Sequence, residues 1–138
     1  HAVRSYFGPH NCGDAVDICD NMILTGSWRA EDQLELWDFG GSQKVRTIPW
    51  ARGLFGSQPC MLYAAQFSKE GLRRFDAAGG SGANEAKLFD RFNNDECVGT
   101  ITGLTRAVFT VDFSPDSTKL AVGGGDSSIR ILDIAHKK

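Results

Sequence analysis

The chain has 138 residues, of which 41% are hydrophobic and 23% are charged. That apolar share is enough to build a buried core, so an intrinsically disordered chain is excluded. The 15 Lys and Arg residues nearly balance the 17 Asp and Glu residues, which leaves a formal net charge of −2. A dominant basic footprint for the phosphate backbone of a nucleic acid is therefore not expected.

Membrane and secretion signals are missing from the sequence. No apolar run approaches the roughly 18 residues of a spanning helix, and the first residues do not follow the pattern of a signal peptide. We therefore expect no membrane insertion. The sequence opens on His1 rather than on Met, so we expect the natural N-terminus to lie upstream.

The cysteines do not form a zinc motif. They are Cys12, Cys19, Cys60 and Cys97, and none belongs to a C-x-x-C pair. We expect reduced cysteines in an intracellular protein, without a choice between cytoplasm, nucleus and cilium. His10 and Cys12 are two neighbouring donors without a second pair, so no metal and no cofactor is predicted.

Alternation of apolar and polar residues dominates the chain. The alternating runs are DAVDI, MILTGS, QLELWDF, MLYAAQF, EAKLFD, VFTVDF, KLAVGG and SIRILDI. Gly, Pro, Asn, Asp and Ser separate these runs, which is typical of short antiparallel strands. The pattern predicts an all-β fold.

Three of the runs resemble one another, at residues 33–39, 86–92 and 128–134. Each has alternating apolar residues, then a large apolar residue, then Asp. These aspartates, Asp38, Asp90 and Asp133, are spaced about 52 and about 43 residues apart, close to the period of four-stranded propeller blades.

The segments around these runs repeat as well. MLYAAQFSKEG and VFTVDFSPDST share a strand that ends in Phe-Ser and a polar turn. In the second segment Pro115 presets φ for a hairpin between Phe113 and Asp116. KVRTIPW and CVGTIT each supply a fourth strand, so the predicted unit is a four-stranded antiparallel sheet.

The LELWDF segment with its echoes, and the run FSPDSTKLAVGGGDSSIRILD, resemble blades of WD-repeat β-propellers. The resemblance covers nearly the whole chain. It includes the dipeptide Trp37-Asp38, and Gly8-Pro9-His10 stands where the family usually has Gly-His. It implies propeller blades of four antiparallel strands.

The resemblance also implies a buried hydrogen-bonded chain in the first blade. Its members would be His10, Ser27, Asp32 and Trp37. A buried indole and a buried imidazole both need polar partners. The other two blades depart from the pattern, because Phe89 and Leu132 replace the tryptophan and Gly103-Leu104 stands in place of Gly-His.

The strands are predicted to fall into about three blades. The ranges are 2–7 for an outer strand of a preceding blade, 14–50 and 60–102 for two blades, and 107–134 for three strands of a closing blade. Because propellers need about four to eight blades, we expect the chain to be the C-terminal part of a longer ring with upstream blades. In the family the closing blade usually takes its fourth strand from the N-terminus of the protein.

Catalytic patterns are not found in the sequence. The histidines are scattered at positions 1, 10 and 136, and no serine lies in G-x-S-x-G. The glycine-rich stretch 77–87 lacks the G-K-[ST] ending of a phosphate loop. The acidic pair Glu31-Asp32 lacks a facing partner, so no catalytic residue and no enzyme is predicted.

Loops offer better candidates for binding. In WD-repeat propellers the loops between blades and the loops between the second and third strands share the partner-binding face. Residues on that face would be Trp28, Arg29, Trp50, Arg52, Phe55 and Arg106. Trp, Phe and Arg are typical interface anchors. The alternative is that Trp50 and Phe55 pack between blades and that the arginines are solvated.

A small basic cluster, Lys69, Arg73 and Arg74, is expected on the opposite face. Either it is a solvated hairpin tip, or it contacts a phosphate or an acidic surface.

The function predicted from the sequence is a non-enzymatic scaffold that binds proteins in a multiprotein assembly through its loops. One alternative is an RNA or ribonucleoprotein binder that uses Arg52, Arg106 and the aromatic residues for stacking, although the charge balance does not support nucleic acid. Another is a structural component of a cytoskeletal or ciliary assembly, which rests on family habits alone.

Overall fold

The computed structural model describes residues 5–53 and 58–134 of the chain. In these two segments the fold is all-β, as predicted, and we see no helix, hence none that could cross a membrane. The strands are β1 (Val16–Cys19), β2 (Met22–Gly26), β3 (Leu34–Asp38), β4 (Gln43–Ile48), β5 (Cys60–Phe67), β6 (Phe75–Gly82), β7 (Ala86–Asp90), β8 (Glu96–Ile101), β9 (Val108–Phe113), β10 (Lys119–Gly124) and β11 (Ile129–Asp133).

The strands form three antiparallel sheets in which neighbours in sequence are neighbours in space. The first sheet has the order β1-β2-β3-β4, the second β5-β6-β7-β8, and the third β9-β10-β11. This meander is the strand order of propeller blades. How the sheets belong to a complete ring stays a prediction.

Strand pairing identifies equivalent positions in the three sheets. Ile23 pairs with Trp37, Asp76 with Phe89, and Leu120 with Leu132. The third strand of each sheet therefore has Trp37, Phe89 or Leu132 at the same place. The first two sheets also share a bulge directly before that residue, at Leu36/Trp37 and at Leu88/Phe89.

Two apolar clusters join the sheets. The first lies between the first and second sheets and includes Leu24, Leu36 and Phe67. The second lies between the second and third sheets and includes Leu88 and Phe113. Each sheet thus contributes an apolar face to its neighbour, as stacked sheets must do to exclude water.

A glycine allows the second and third sheets to approach closely. A Cβ atom at Gly79 would lie 2.5 Å from Cγ1 of Val108 on β9. Real side chains do not tolerate that distance, so any larger residue at position 79 would push the sheets apart.

Aspartates close several of the turns. Oδ1 of Asp116 accepts hydrogen bonds from Ser114 Oγ at 2.8 Å and from the amide of Thr118 at 3.1 Å. These bonds stabilise the carboxylate and lower the pKa of Asp116 to about 2. Asp38 and Asp90 end their strands in the same way, each accepting the amide two residues later at 3.0 Å.

The predicted outer strand at 2–7 is only partly within the described residues. Residues 5–7 are not in a strand. Tyr6 packs edge-on against Trp37 with 6.0 Å between ring centroids, and its hydroxyl donates to the carbonyl of Phe39 at 2.8 Å. Tyr6 therefore lies against the first sheet.

One polar residue in the core was not anticipated. Asp76 on β6 is 0% exposed, and neither of its carboxylate oxygens has a hydrogen-bond partner. The equivalent positions in the other sheets are the apolar residues Ile23 and Leu120. Burial, reinforced by the nearby charge of Asp95, raises the pKa of Asp76 to about 8, against the weaker opposing effect of Arg91.

Asp76 makes the stability of the fold depend on pH. Its pKa in the folded chain, about 8, is above its ordinary value of 3.8. Between these two pH values the folded chain keeps the proton on Asp76, whereas the unfolded chain loses it. We therefore expect the free energy of unfolding to fall as the pH rises from about 4 to about 8. Urea unfolding at several pH values should show this fall in the wild type and not in Asp76→Asn.

Asp76→Leu, which copies the third sheet, should be more stable than the wild type near pH 8 by about 2 kcal/mol or more. Asp14→Asn, at an exposed position, serves as the control and should keep the wild-type pH profile. Parallel profiles for wild type and Asp76→Asn would show that the buried carboxyl does not titrate in this range.

Candidate functional site

Aromatic rings contributed by all three sheets contact one another in a line that crosses the sheets. Trp28 follows β2, Tyr63 lies on β5 and Phe109 lies on β9. The centroid distances are 6.4 Å from Trp28 to Tyr63 and 5.1 Å from Tyr63 to Phe109. The ring of His10 extends the line at 6.5 Å from Trp28. We call these four residues the aromatic row.

Two members of the row project from β-bulges. Between β5 and β6 the register skips Tyr63, because Leu62 pairs with Gly80 and Ala64 with Gly79. Between β9 and β10 it skips Phe109 in the same way. A bulge leaves one residue out of the ladder and redirects its side chain. Phe109 is 51% exposed as a result.

Trp28 is held between the first two sheets. Its indole N–H donates to Ser81 Oγ at 3.3 Å, and its amide donates to the carbonyl of His10 at 2.8 Å. Its ring is half-buried. The indole of Trp28 is thus held in a fixed orientation.

Arg106 lies beside the aromatic row. A Cβ atom built on Gly125 would lie 3.3 Å from Cβ of Arg106 and 3.2 Å from Cε2 of Phe109. The arginine stem and the phenylalanine ring are therefore neighbours. Arg106 is exposed, so the row ends on a cation.

Trp50 has a packing role. Its indole N–H donates to Glu85 Oε1 at 2.7 Å, and its ring lies 5.7 Å from that of Phe89. Lys87 Nζ lies 5.3 Å from the ring centroid. Trp50 therefore connects the end of the first sheet to the second, which is the alternative that the sequence left open.

The two other arginines of the predicted patch behave differently. Arg29 donates to Glu35 Oε1 at 2.6 Å and also to the carbonyls of Gly8 and Asp32. This network fastens the loop after β2 to β3. Arg52 is exposed, and its guanidinium lies 3.5 Å from the carbonyl of Ala30. Phe55 lies outside the described residues.

The hydrogen-bonded chain predicted for the first sheet differs from the one observed. The indole N–H of Trp37 donates to Thr25 Oγ1 at 2.9 Å, not to Ser27. Thr25 lies two residues after Ile23, which pairs with Trp37. Side chains two apart on a strand point to the same face of a sheet, so Thr25 and Trp37 share a face. Ser27 lies beyond the end of β2, where its Oγ accepts the amide of His10 at 3.2 Å.

His10 and Asp32 do not join Trp37 either. Both residues are exposed. His10 meets Trp28 edge-on at an interplanar angle of 71°, and Asp32 has a left-handed φ of 52° in the loop after β2. Thr25 was missed because the strand pairing that places it beside Trp37 is set across the sheet and not along the chain.

Two of the three cations in the basic cluster on the opposite face pair with acidic neighbours. Arg74 donates twice to Asp90, at 3.0 and 2.8 Å, and this pairing lowers the pKa of Asp90. Lys69 pairs with Asp112 at 2.7 Å. Arg73 donates to the carbonyl of Ser68 at 3.1 Å. These contacts favour the hairpin-tip interpretation.

Nucleophiles and metal ligands are not gathered at a site in the described part of the chain. Within residues 5–53 and 58–134, no group of three or more His, Cys, Asp or Glu side chains could hold a metal ion. All four cysteines lie in these segments and are free. Burial raises the pKa of Cys60 to about 12, which keeps it a neutral thiol.

The comparison with known families now adds a sequence match. Residues 95–133 match the family described as "WD domain, G-beta repeat". The chain thus contains a WD repeat at these residues. The matched repeat starts near the beginning of β8 and ends with β11. A WD repeat of this chain therefore consists of the fourth strand of one sheet and the first three strands of the next.

One curated relative is eukaryotic translation initiation factor 3 subunit I of Phaeosphaeria nodorum. The two sequences are 45% identical over 46 residues, which are 33% of this chain. The match spans 14% of the length of that relative.

The Trp37–Thr25 hydrogen bond should stabilise the first sheet. Thr25→Val keeps the shape but leaves a buried indole N–H without an acceptor, so we expect a loss of about 1–3 kcal/mol in the free energy of unfolding. Urea unfolding measures this loss. Thr25→Ser retains the hydroxyl and should lose less; if both variants are equally destabilised, the methyl group and not the hydrogen bond is what matters.

Proposed function

We propose that this WD-repeat chain is a non-enzymatic scaffold that binds partner proteins in a larger assembly. The observation that carries the proposal is the aromatic row, to which all three sheets contribute and which ends at Arg106. The partner would lie across the row and contact Tyr63 and Phe109 directly.

The row has the chemistry of a protein-binding surface. Aromatic rings provide a large contact area with few rotatable bonds, so little conformational entropy is lost on binding. Trp28 is fixed by Ser81 and Tyr63 by the neighbouring rings. The surface is therefore formed before a partner arrives, which lowers the cost of association.

The relative agrees with membership in a complex, because its name describes one subunit of translation initiation factor 3. We propose an intracellular setting for this chain, because the reducing interior of the cell keeps cysteines free, as the four cysteines are here. Upstream blades of the same polypeptide and further proteins of an assembly are the proposed partners. A cytoskeletal or ciliary role stays a prediction without support from a particular residue.

RNA is the second candidate, and Arg106 beside the row is the observation that favours it. Bases could stack on exposed rings next to a cation. Two observations count against this candidate. The rings are tilted by 42° and 52° to one another, and two cations of the opposite face, Lys69 and Arg74, are paired with carboxylates.

Removing the two bulge residues tests the proposal. The double variant Tyr63→Ala with Phe109→Ala should lose most of the proteins that co-purify with the wild-type chain, because the contact area of the row disappears. Phe92→Ala is the matched control, since Phe92 is 56% exposed but lies after β7, away from the row. The bound proteins are identified by mass spectrometry at two salt concentrations.

The outcomes separate the candidates. Salt-resistant capture that needs Tyr63 and Phe109 supports the scaffold. Binding to RNA that falls steeply with salt and disappears in Arg106→Ala supports the second candidate. Unchanged capture by the double variant would refute a role of the row in either.

A further inference from the structure

The aromatic row has a spacing that fits an extended polypeptide. Its ring centroids are separated by 6.5 Å from His10 to Trp28, 6.4 Å from Trp28 to Tyr63, and 5.1 Å from Tyr63 to Phe109. Alternate residues of a β-strand are about 6.4–6.8 Å apart and point to the same side. Two of the three ring spacings match this repeat. A strand laid along the row therefore places every second side chain on the rings.

A helix fits the row less well. Successive turns of a helix are about 5.4 Å apart, and only the spacing of Tyr63 and Phe109 is close to that value. A helix that docks through one face has its apolar residues three or four positions apart, whereas a strand has them two positions apart. The two arrangements thus require different sequence patterns in the partner.

The orientation of the rings favours aliphatic side chains in the bound segment. Neighbouring rings of the row are tilted at 71°, 42° and 52°, so they do not form one flat platform. Phe109 is 51% exposed, and Trp28 and Tyr63 are half-buried. Apolar side chains placed on these rings remove their remaining surface from water.

Arg106 adds a cation without an acidic partner. It is exposed, and no ion pair within the described residues includes it. Asp126 follows Gly125, the neighbour of Arg106, but its carboxylate is already bound. It accepts from the hydroxyl of Ser128 at 2.7 Å and from Arg130 at 2.9 Å. The guanidinium beside Phe109 is therefore available to a carboxylate from outside the chain.

We propose that the segment bound by the aromatic row is an extended peptide in which every second residue is apolar, with an Asp or Glu side chain at the end that faces Arg106. This inference rests on the proposed function, because it names the partner chemistry of the same surface. The apolar residues contact Trp28, Tyr63 and Phe109. The carboxylate accepts hydrogen bonds from the guanidinium, whose planar fork suits two carboxylate oxygens.

Selection from a displayed peptide library tests the pattern. The immobilised chain is offered random segments between fixed Gly-Ser flanks, so that every carboxylate comes from a side chain. For the wild type we expect enriched sequences with apolar residues at i, i+2 and i+4 and an Asp or Glu at one end. The double variant Tyr63→Ala with Phe109→Ala should lose the apolar preference. Circular dichroism confirms that each variant is folded.

Charge reversal tests the acidic residue. The variant Arg106→Glu should select Lys or Arg where the wild type selects Asp or Glu, with unchanged apolar spacing, because opposite charges attract. A synthetic peptide of the wild-type motif should bind this variant at least about tenfold more weakly. Arg52→Glu is the matched control. Arg52 is also exposed but lies at the carbonyl of Ala30, in the loop that carries Trp28, so its reversal should leave the acidic preference intact.

The outcomes distinguish this inference from the proposed function. Enrichment that depends on Tyr63 and Phe109 but shows apolar residues three or four apart overturns the extended segment and keeps protein binding by the row. An acidic preference that Arg106→Glu does not reverse overturns the assigned role of Arg106. Identical peptides selected by the wild type and the double variant refute both proposals. A wild type that enriches no peptide but binds single-stranded RNA through Phe109 overturns the inference in favour of RNA.

Discussion

Each of the three described sheets depends on the sheet beside it, because both of its faces are apolar. On β7 all five residues are buried, including the neighbours Leu88 and Phe89, which point to opposite faces. Leu88 joins the cluster shared with the third sheet, and Phe89 joins the cluster shared with the first. A single sheet of this kind, standing alone, would expose both apolar faces to water. Stacking is thus the constraint that the rest of the structure follows.

The few polar residues inside the stack show how this constraint is met or violated. The buried indole N–H of Trp37 donates to Thr25, and the buried carboxylate of Glu35 pairs with Arg29 and Lys44. Asp76 has no such partner and stands where the other sheets have aliphatic residues. An unpaired buried carboxyl is retained at a cost in stability, and the carboxyl stays protonated to a higher pH.

The same stacking produces the proposed binding surface. Closely packed sheets place their first strands next to one another, so residues displaced from those strands by bulges become neighbours across sheets. Tyr63 and Phe109 meet at 5.1 Å for this reason. Arg29 and Trp50, which also looked like interface anchors, are instead occupied by contacts that fasten loops and sheets together. The scaffold therefore uses some of its large side chains for its own assembly and leaves others for a partner.

Local pattern in the sequence was sufficient for the strands, their antiparallel order and the hairpin turn at Asp116. Those features depend on period-two alternation and on hydrogen bonds between residues a few positions apart. The acceptor for Trp37 was assigned to Ser27 instead of Thr25, because the register of a strand pair is set across the sheet and not along the chain. The positions of Tyr63 and Phe109 in the aromatic row could not be predicted from the sequence, for a related reason. Tyr63 and Phe109 each precede a Phe-Ser by four residues, and strict alternation places both in the core. The bulges turn both side chains outward, because a bulge places one extra residue in one strand of a pair and leaves that residue out of the ladder.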